Sequence, residues 1–208
     1  MENGDDYRIT DVTQLRAVIS EPSALVAKKL LGALDEAAAD FIRRAPFLVI
    51  ATADADGNQD ASPKGDAPGF VAIENDNTLL IPDRKGNKLV FTFQNILANP
   101  HVGLIFIVPG MDETLRVNGT AELTVEPALL KRLAARGSDA QLAIRLTVRE
   151  CFFHCGKAFI RSQLWHPESW PELQKISWGK YLAAKMGADA NTATQIDKFV
   201  EEDYKTNL

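Results

Sequence analysis

QDASPKGDAPGF, residues 59–70, and LLIPDRKGNK, residues 79–88, are the two segments that decide how this chain folds. Each begins as extended, β-type sequence and ends in a polar turn that places lysine or arginine beside glycine. Small residues and cations at such a turn allow the backbone to close around a phosphate. The two turns together predict a phosphate-anchored cofactor site.

The sequence around these segments alternates between short apolar runs and turns. The run FLVIATA, residues 47–53, leads into a hairpin turn at residues 54–58, and residues 59–64 are predicted to return as the next strand. A nearly continuous apolar run at residues 101–108 is typical of a central strand buried on both faces. Strands do not alternate with helices, so we expect a barrel of antiparallel strands with flanking helices.

Helical spacing of apolar residues marks the two ends of the chain and one internal segment. We predict one helix over residues 23–42, another over residues 86–98, and amphipathic helices beyond residue 166. Three parts follow from this pattern. They are a helical extension packed on the barrel (1–45), the barrel (46–165) and a helical tail (166–208).

Composition limits the classes of function. The 208 residues carry a net charge of −5, with 46% hydrophobic and 25% charged residues, values typical of a globular protein. A broad surface for nucleic acid is not expected at this charge. The longest apolar run is too short to cross a bilayer, and the acidic start of the chain does not resemble a signal peptide, so we expect a cytoplasmic protein without membrane contact.

The chain has two cysteines, Cys151 and Cys155, in one apolar run. On a strand they would lie on the same face about 13 Å apart, too far for a disulfide. His154 beside them raises the possibility of zinc, but a structural zinc site needs four ligands. Buried reduced thiols are the better interpretation, and no metal site is predicted.

Several motifs in sequence order resemble a known family, namely the FMN-binding split-barrel proteins related to pyridoxamine 5'-phosphate oxidase. They are ASPKGDAPGF (residues 61–70), IPDRKGN (81–87), NPHVGL (99–104), PGMDETLRVNG (109–119) and FHCGKAFIRSQLW (153–165), the last resembling one uncharacterised bacterial branch. The resemblance implies an antiparallel six-stranded split barrel of Greek-key type. It also implies a homodimer that binds FMN at the interface between its subunits.

The resemblance also implies which residues contact the cofactor. Arg84 and Lys85, which follow Pro82, correspond to the family's phosphate-binding pair. The segment that runs along the flavin corresponds to residues 61–64, with Lys64 where many relatives have arginine, which keeps the charge but loses bidentate geometry. The implied cofactor-binding set is Ala61, Ser62, Pro63, Lys64, Pro82, Arg84, Lys85, Asn87, Lys88, Asn95, Thr114, Lys157, Arg161 and Ser162.

The function predicted from this resemblance is that of a flavin-dependent oxidoreductase acting on a small substrate. The substrate-binding Arg-x-His motif of the true pyridoxamine 5'-phosphate oxidases is replaced by LWHP (residues 164–167), which argues against vitamin B6 oxidation. Two alternatives remain open. One is a flavin-binding or electron-relay protein without turnover, and the other is a split barrel that binds deazaflavin or haem. No residue is predicted to be catalytic.

Overall fold

A single antiparallel sheet of seven strands organises the molecule, for which a computed structural model describes residues 7–86 and 88–207. The strand order is β2-β1-β5-β6-β7-β4-β3. The strands are β1 (Phe47–Ala53), β2 (Gln59–Gly65), β3 (Ala72–Asn75), β4 (Thr78–Pro82), β5 (His101–Ile107), β6 (Thr114–Thr124) and β7 (Ala143–His154). The resemblance implied six strands, whereas the described residues form seven, of which the shortest, β3, pairs with β4 as a hairpin at one edge of the sheet.

Eight α-helices flank the sheet within the described residues. They are α1 (Val12–Val18), α2 (Ala24–Ala27), α3 (Glu36–Arg44), α4 (Phe91–Ala98), α5 (Pro127–Arg132), α6 (Lys157–Ser162), α7 (Trp178–Met186) and α8 (Ala190–Thr206). The side chain of Asp35 accepts the Ala38 N–H and begins α3, the helix that packs against β6 and β7.

Two of the predicted helices differ from the structure. The predicted helix over residues 23–42 is divided into α2 and α3, because Leu31 leaves the helical path and pairs with Cys151 of β7, with N–H to oxygen distances of 3.0 and 2.8 Å. The predicted helix over residues 86–98 begins only at Phe91. Lys88 and Val90 have φ values of +61° and +46°, which an α-helix cannot contain.

The main core lies between the inward faces of the strands and α3. Alternation along β1 places Leu48 and Ile50 inside, fully buried, while their neighbours face outward. Phe41 of α3 and Phe106 of β5 are the largest fully buried side chains. Cys151 is buried in β7, whereas Cys155 lies beyond the end of that strand and is exposed. The prediction of two buried thiols on one strand face is therefore wrong for Cys155.

The two ends of the chain differ in how they pack. Every side chain described between residues 7 and 30 is exposed. At the other end, α7 and α8 pack against each other as a helical hairpin in which Gly179 and Ala193 are in close contact. We call α7 and α8 together the C-terminal hairpin.

Candidate functional site

A cavity of about 580 Å³ lies where β2 and β4 end, beside the segment that precedes α4. We call it the basic cavity, because four of the side chains that line it are cationic. Those cations are Lys64, Arg84, Lys85 and Lys88. Asp60 and Asp83 contribute carboxylates, and the apolar side chains at the cavity include Phe70, Phe91, Phe93 and Leu142.

Lys64 is held in place by two neighbours. Its Nζ lies 3.0 Å from Oδ1 of Asp83 and 4.9 Å from the centre of the Phe93 ring. Both side chains of the ion pair are largely buried, at 20% and 16% exposure. An ammonium held by a carboxylate and an aromatic face keeps its position, so Lys64 presents a fixed positive charge at the cavity wall.

Arg84 is tied to the protein by its own hydrogen bonds. Its Nε donates to Oδ2 of Asp66 at 2.8 Å, and its Nη1 donates to the carbonyl of Leu133 at 2.9 Å. The arginine thereby joins the end of β4 to the turn after β2 and to the end of α5. Part of its donor capacity is therefore used inside the fold.

Asp66 joins two arginines. In addition to Arg84, it pairs with Arg136, whose Nη2 lies 3.2 Å from Oδ1, and only 4% of the Asp66 side chain is exposed. Burial would raise the pKa of Asp66, but the Ala67 N–H and the Arg84 guanidinium outweigh burial and hold that pKa below its usual value. Asp66 is therefore a carboxylate in the folded protein at neutral pH.

The N-terminus of α4 reaches the cavity. No side chain among the described residues caps this helix, whose first residues Phe91 and Thr92 line the cavity. A polar cluster fixes the helix to the sheet: Asp60 Oδ2 accepts the hydroxyl groups of Ser62 and Thr92, each at 2.8 Å. Asn95 donates to Thr52 Oγ1 at 3.0 Å. The Phe93 and Gln94 N–H groups donate to the Val90 carbonyl, and the positive end of the helix dipole beside lysines is a favourable environment for an anion.

The structure brings together half of the predicted cofactor-binding residues. Seven of the fourteen line the basic cavity, namely Ser62, Pro63, Lys64, Pro82, Arg84, Lys85 and Lys88. Asn87 lies outside the described residues. Lys85 and Lys88 are exposed.

The remaining six predicted residues lie elsewhere in the subunit. Ala61 faces away from Ser62 and Lys64 and lines a second concavity, and the Asn95 side chain donates to Thr52 beneath α4. Thr114 is buried at the start of β6, opposite His154. Lys157, Arg161 and Ser162 lie exposed on α6 and are not among the residues that line the basic cavity.

Sequence reasoning missed the carboxylates of the site and its second arginine, Arg136. Asp60, Asp66 and Asp83 each lie within or next to the quoted motifs, and their position beside cations was the available signal. Arg136 is distant in sequence from both motifs and has a left-handed backbone, with φ of +50°. Nothing in the local pattern indicated that it reaches Asp66.

A second concavity, of about 840 Å³, lies on the outer face of the sheet. Small residues from adjacent strands form its floor, including Ala51, Ala61 and Gly103, and the side chains of Asn118 and Arg149 also line it. We call it the outer-face groove. Asp60 lines both this groove and the basic cavity.

Two further kinds of feature are absent from the described residues. These residues contain no group of three or more His, Cys, Asp or Glu side chains that could hold a metal ion. They also contain no helix that combines the length and the apolar character required to cross a bilayer.

Comparison with known proteins identifies the family. The sequence profile described as pyridoxamine 5'-phosphate oxidase matches residues 34–155, which is more than half of the chain. The chain therefore belongs to the pyridoxamine 5'-phosphate oxidase family, and its antiparallel sheet with flanking helices is the split barrel of that family. No curated protein is similar enough in sequence to count as a relative.

Several solved structures are similar to this one. HupZ from Group A Streptococcus is 22% identical, with a TM-score of 0.48, and the match covers 58% of this chain and 93% of HupZ. A putative pyridoxamine 5'-phosphate oxidase from Lactobacillus delbrueckii is 23% identical, with a TM-score of 0.46 and coverage of 59% and 95%. An F420 reductase is 20% identical, with a TM-score of 0.42 and coverage of 58% and 98%.

Proposed function

We propose that the protein binds FMN in the basic cavity by its phosphate and acts, as a homodimer, as a flavin-dependent oxidoreductase on a small organic substrate. The observation that carries this proposal is that cations and apolar side chains line the same cavity. Lys85, Lys88 and the N-terminus of α4 provide groups that attract an anion, and Phe70, Phe93 and Leu142 provide apolar surface. FMN needs both, because it has a phosphate at one end and an aromatic ring system at the other.

The residues present fit this cofactor. The volume of about 580 Å³ lies within the range of roughly 300–1,000 Å³ that is usual for cofactor sites. Asp83 balances Lys64 and Asp66 balances Arg84, which leaves Lys85 and Lys88 to meet a dianionic phosphate. None of the three histidines, all within the described residues, lines the basic cavity, which supports FMN over haem.

The protein's own groups would bind and orient the cofactor. Lys85 and Lys88 would neutralise the phosphate, and the first N–H groups of α4 would donate to its oxygens. Lys64, fixed by Asp83 and Phe93, would hold a positive charge beside the bound molecule. The bound flavin would itself supply the redox chemistry, by accepting a hydride or electrons at N5.

The apolar outward face of the sheet supports the proposed homodimer. The outward side of β1 and β5 carries a row of apolar side chains, including Val49 and Ile105, which lie directly opposite each other and are only half-buried. This row continues through Pro63 of β2, the strand that also lines the basic cavity. A second subunit on this face would bury the row and would lie close to the cofactor.

Lys85→Ala tests the phosphate anchor. The purified wild-type protein should be yellow and should release FMN on acid treatment, as identified by mass. A charge-assisted contact to phosphate contributes about 1.5–3 kcal/mol, so Lys85→Ala should raise the Kd for FMN by roughly 10- to 150-fold. The Kd is measured by quenching of flavin fluorescence. Arg84 is a poorer target, because its bonds to Asp66 and Leu133 also support the fold.

The matched control is Lys131→Ala, which removes an exposed lysine from α5 that does not line the basic cavity. It should leave the Kd for FMN unchanged. A wild-type protein that neither contains nor takes up FMN would refute the proposed function. Anaerobic reduction of the bound flavin by a reduced nicotinamide, followed by reoxidation with an added acceptor, would support turnover over simple storage.

A further inference from the structure

The basic cavity has a smaller neighbour at its cationic end. This second cavity has a volume of about 200 Å³ and shares three lining residues with the basic cavity, which are Arg84, Lys85 and Gln141. Thr206 and Asn207, from the end of α8, form part of its wall. We call it the end cavity. The C-terminal hairpin therefore reaches the part of the molecule where the cofactor's phosphate is expected.

We propose that the end of α8 determines which flavin cofactor the site accepts. This inference rests on the proposed function, since it places the phosphate at Lys85. A phosphate monoester such as FMN ends there. In FAD and in the deazaflavin F420 the same phosphate continues into a further group, and the end cavity is the space beside Arg84 and Lys85 into which that group would extend. The end of α8 closes this space.

The end cavity is too small to enclose such a group. An adenylyl group has roughly three-quarters as many non-hydrogen atoms as FMN, whereas the end cavity has about one-third of the volume of the basic cavity. The group would therefore fit within the end cavity only if the end of α8 moved away.

Side-chain hydrogen bonds join the two helices of the C-terminal hairpin. Asp197 of α8 accepts the Ser177 hydroxyl at 2.6 Å and the Gly179 N–H at 2.7 Å, both at the beginning of α7. At its own end, α8 is finished by Asn207, whose backbone N–H donates to the carbonyl of Asp203 at 2.9 Å and whose side chain donates to the Asp203 carboxylate at 2.7 Å. Thr206 and Asn207 thus belong to an ordered helix end.

The charges at the end cavity act in the same direction. A helix C-terminus carries partial negative charge on its last carbonyl groups. Asp139 also lines the end cavity, and the Asp66 carboxylate there is already shared by Arg84 and Arg136. Arg84, Lys85 and Arg136 also line the end cavity, but Asp66 already pairs with both arginines, and the first phosphate is expected at Lys85. The second phosphate of FAD or the acidic tail of F420 would therefore meet cations that already have partners, together with Asp139 and the helix C-terminus, whereas FMN has no charge beyond its phosphate.

A shortened chain tests the proposal. Replacing the codon of Lys205 by a stop codon removes the wall formed by Thr206 and Asn207 but keeps the buried Ala193 and the Asp197 bonds. A full-length double variant, Thr206→Gly with Asn207→Gly, weakens the same wall without shortening the chain. The readout is the Kd of each protein for FMN, FAD and F420, measured by fluorescence quenching, with Lys198→Ala in the exposed middle of α8 as the control.

The full chain and Lys198→Ala should bind FMN at least about tenfold more tightly than FAD or F420. In the shortened chain the ratio of the Kd for FAD or F420 to the Kd for FMN should fall below about threefold. The cause should be tighter binding of FAD and F420, while the Kd for FMN changes little. An unchanged ratio in both variants, with FMN still bound, would overturn this inference alone. If none of the proteins, full-length or shortened, binds any flavin, the proposed function itself fails.

Discussion

Asp66 is the single residue that most strongly controls the charge of the basic cavity. It is 4% exposed and accepts from both Arg84 and Arg136, so it removes positive charge from the site while it holds two distant segments together. These two effects oppose each other in function. The carboxylate stabilises the fold, and it also competes with any anionic ligand for the same guanidinium groups.

Asp66→Asn separates the two effects. Losing the buried negative charge leaves Arg84 without its ionic partner and should lower the free energy of unfolding by about 2 kcal/mol at pH 7, as measured by urea denaturation. The Kd for FMN should fall in the same variant, because the arginines become available to phosphate. Asp40→Asn is the matched control, because it breaks an exposed ion pair with Arg44 instead. It should lower the free energy of unfolding by less than about 0.5 kcal/mol.

The stability effect of Asp66 should also depend on pH in a defined direction. Its pKa is lower in the folded protein than in the unfolded chain, where a value of about 3.9 is expected. The stabilisation is therefore complete well above pH 4 and is lost as the pH falls through the folded pKa. The difference between wild type and Asp66→Asn should shrink below about pH 4, and a difference that grows there would contradict this assignment.

At the scale of elements, the C-terminal hairpin depends on one glycine. A Cβ at Gly179 would lie 1.8 Å from the carbonyl oxygen of Ala193 and 2.6 Å from its carbonyl carbon, and both atoms belong to the backbone of α8. Gly179→Ala must therefore push α7 and α8 apart, although alanine favours helix formation. We expect the free energy of unfolding of this hairpin to fall by about 1–3 kcal/mol, with no effect on the rest of the protein.

Hydrogen exchange followed by mass spectrometry can locate that loss. Peptides from α7 and α8 should exchange faster in Gly179→Ala, whereas peptides from β1, β5 and β6 should be unchanged. Lys180→Ala, an exposed substitution in the same turn of α7, serves as the matched control and should leave both regions unaffected. Equal protection of α7 and α8 in the two variants would show that the helices do not pack as described.

The elements that sequence predicts well are those fixed by local pattern. The strand at residues 47–53 matches β1 in both bounds and alternation, because each apolar residue is followed by one that faces outward. The helix predicted over residues 23–42 fails because a pairing with Cys151, far along the chain, withdraws Leu31 from it. The predicted start of α4 is wrong because two non-glycine residues before the helix adopt positive φ, a backbone conformation that is rare for residues with a side chain.

At the scale of the whole molecule, the candidate site also combines features set by local sequence with features set by long-range packing. The two turns that sequence singled out do meet at one cavity, since β2 and β4 both end there. The contribution of α8 could not be predicted, because it depends on how a helix more than 100 residues further along the chain packs. Ala61 was placed with Ser62 in sequence, but strand alternation turns it to the outer-face groove.

We expect the homodimer to form through the outward face of the sheet. The half-buried Ile105 belongs to the outward apolar row and lies between Val49 of β1 and Arg116 of β6. Ile105→Arg places a charge where a second subunit would pack and should raise the dimer dissociation constant at least about tenfold, as measured by sedimentation equilibrium. The wild-type protein should be dimeric at micromolar concentration.

Val125→Arg makes the same kind of substitution at an apolar side chain that is 69% exposed and lies just beyond β6. This variant should remain dimeric, which separates an effect of position from a general effect of added charge. Ile105→Arg should also weaken FMN binding, because Pro63 lies in the same outward row and also lines the basic cavity. A monomeric wild type that binds FMN normally would show that one subunit completes the site, and the homodimer would then be abandoned.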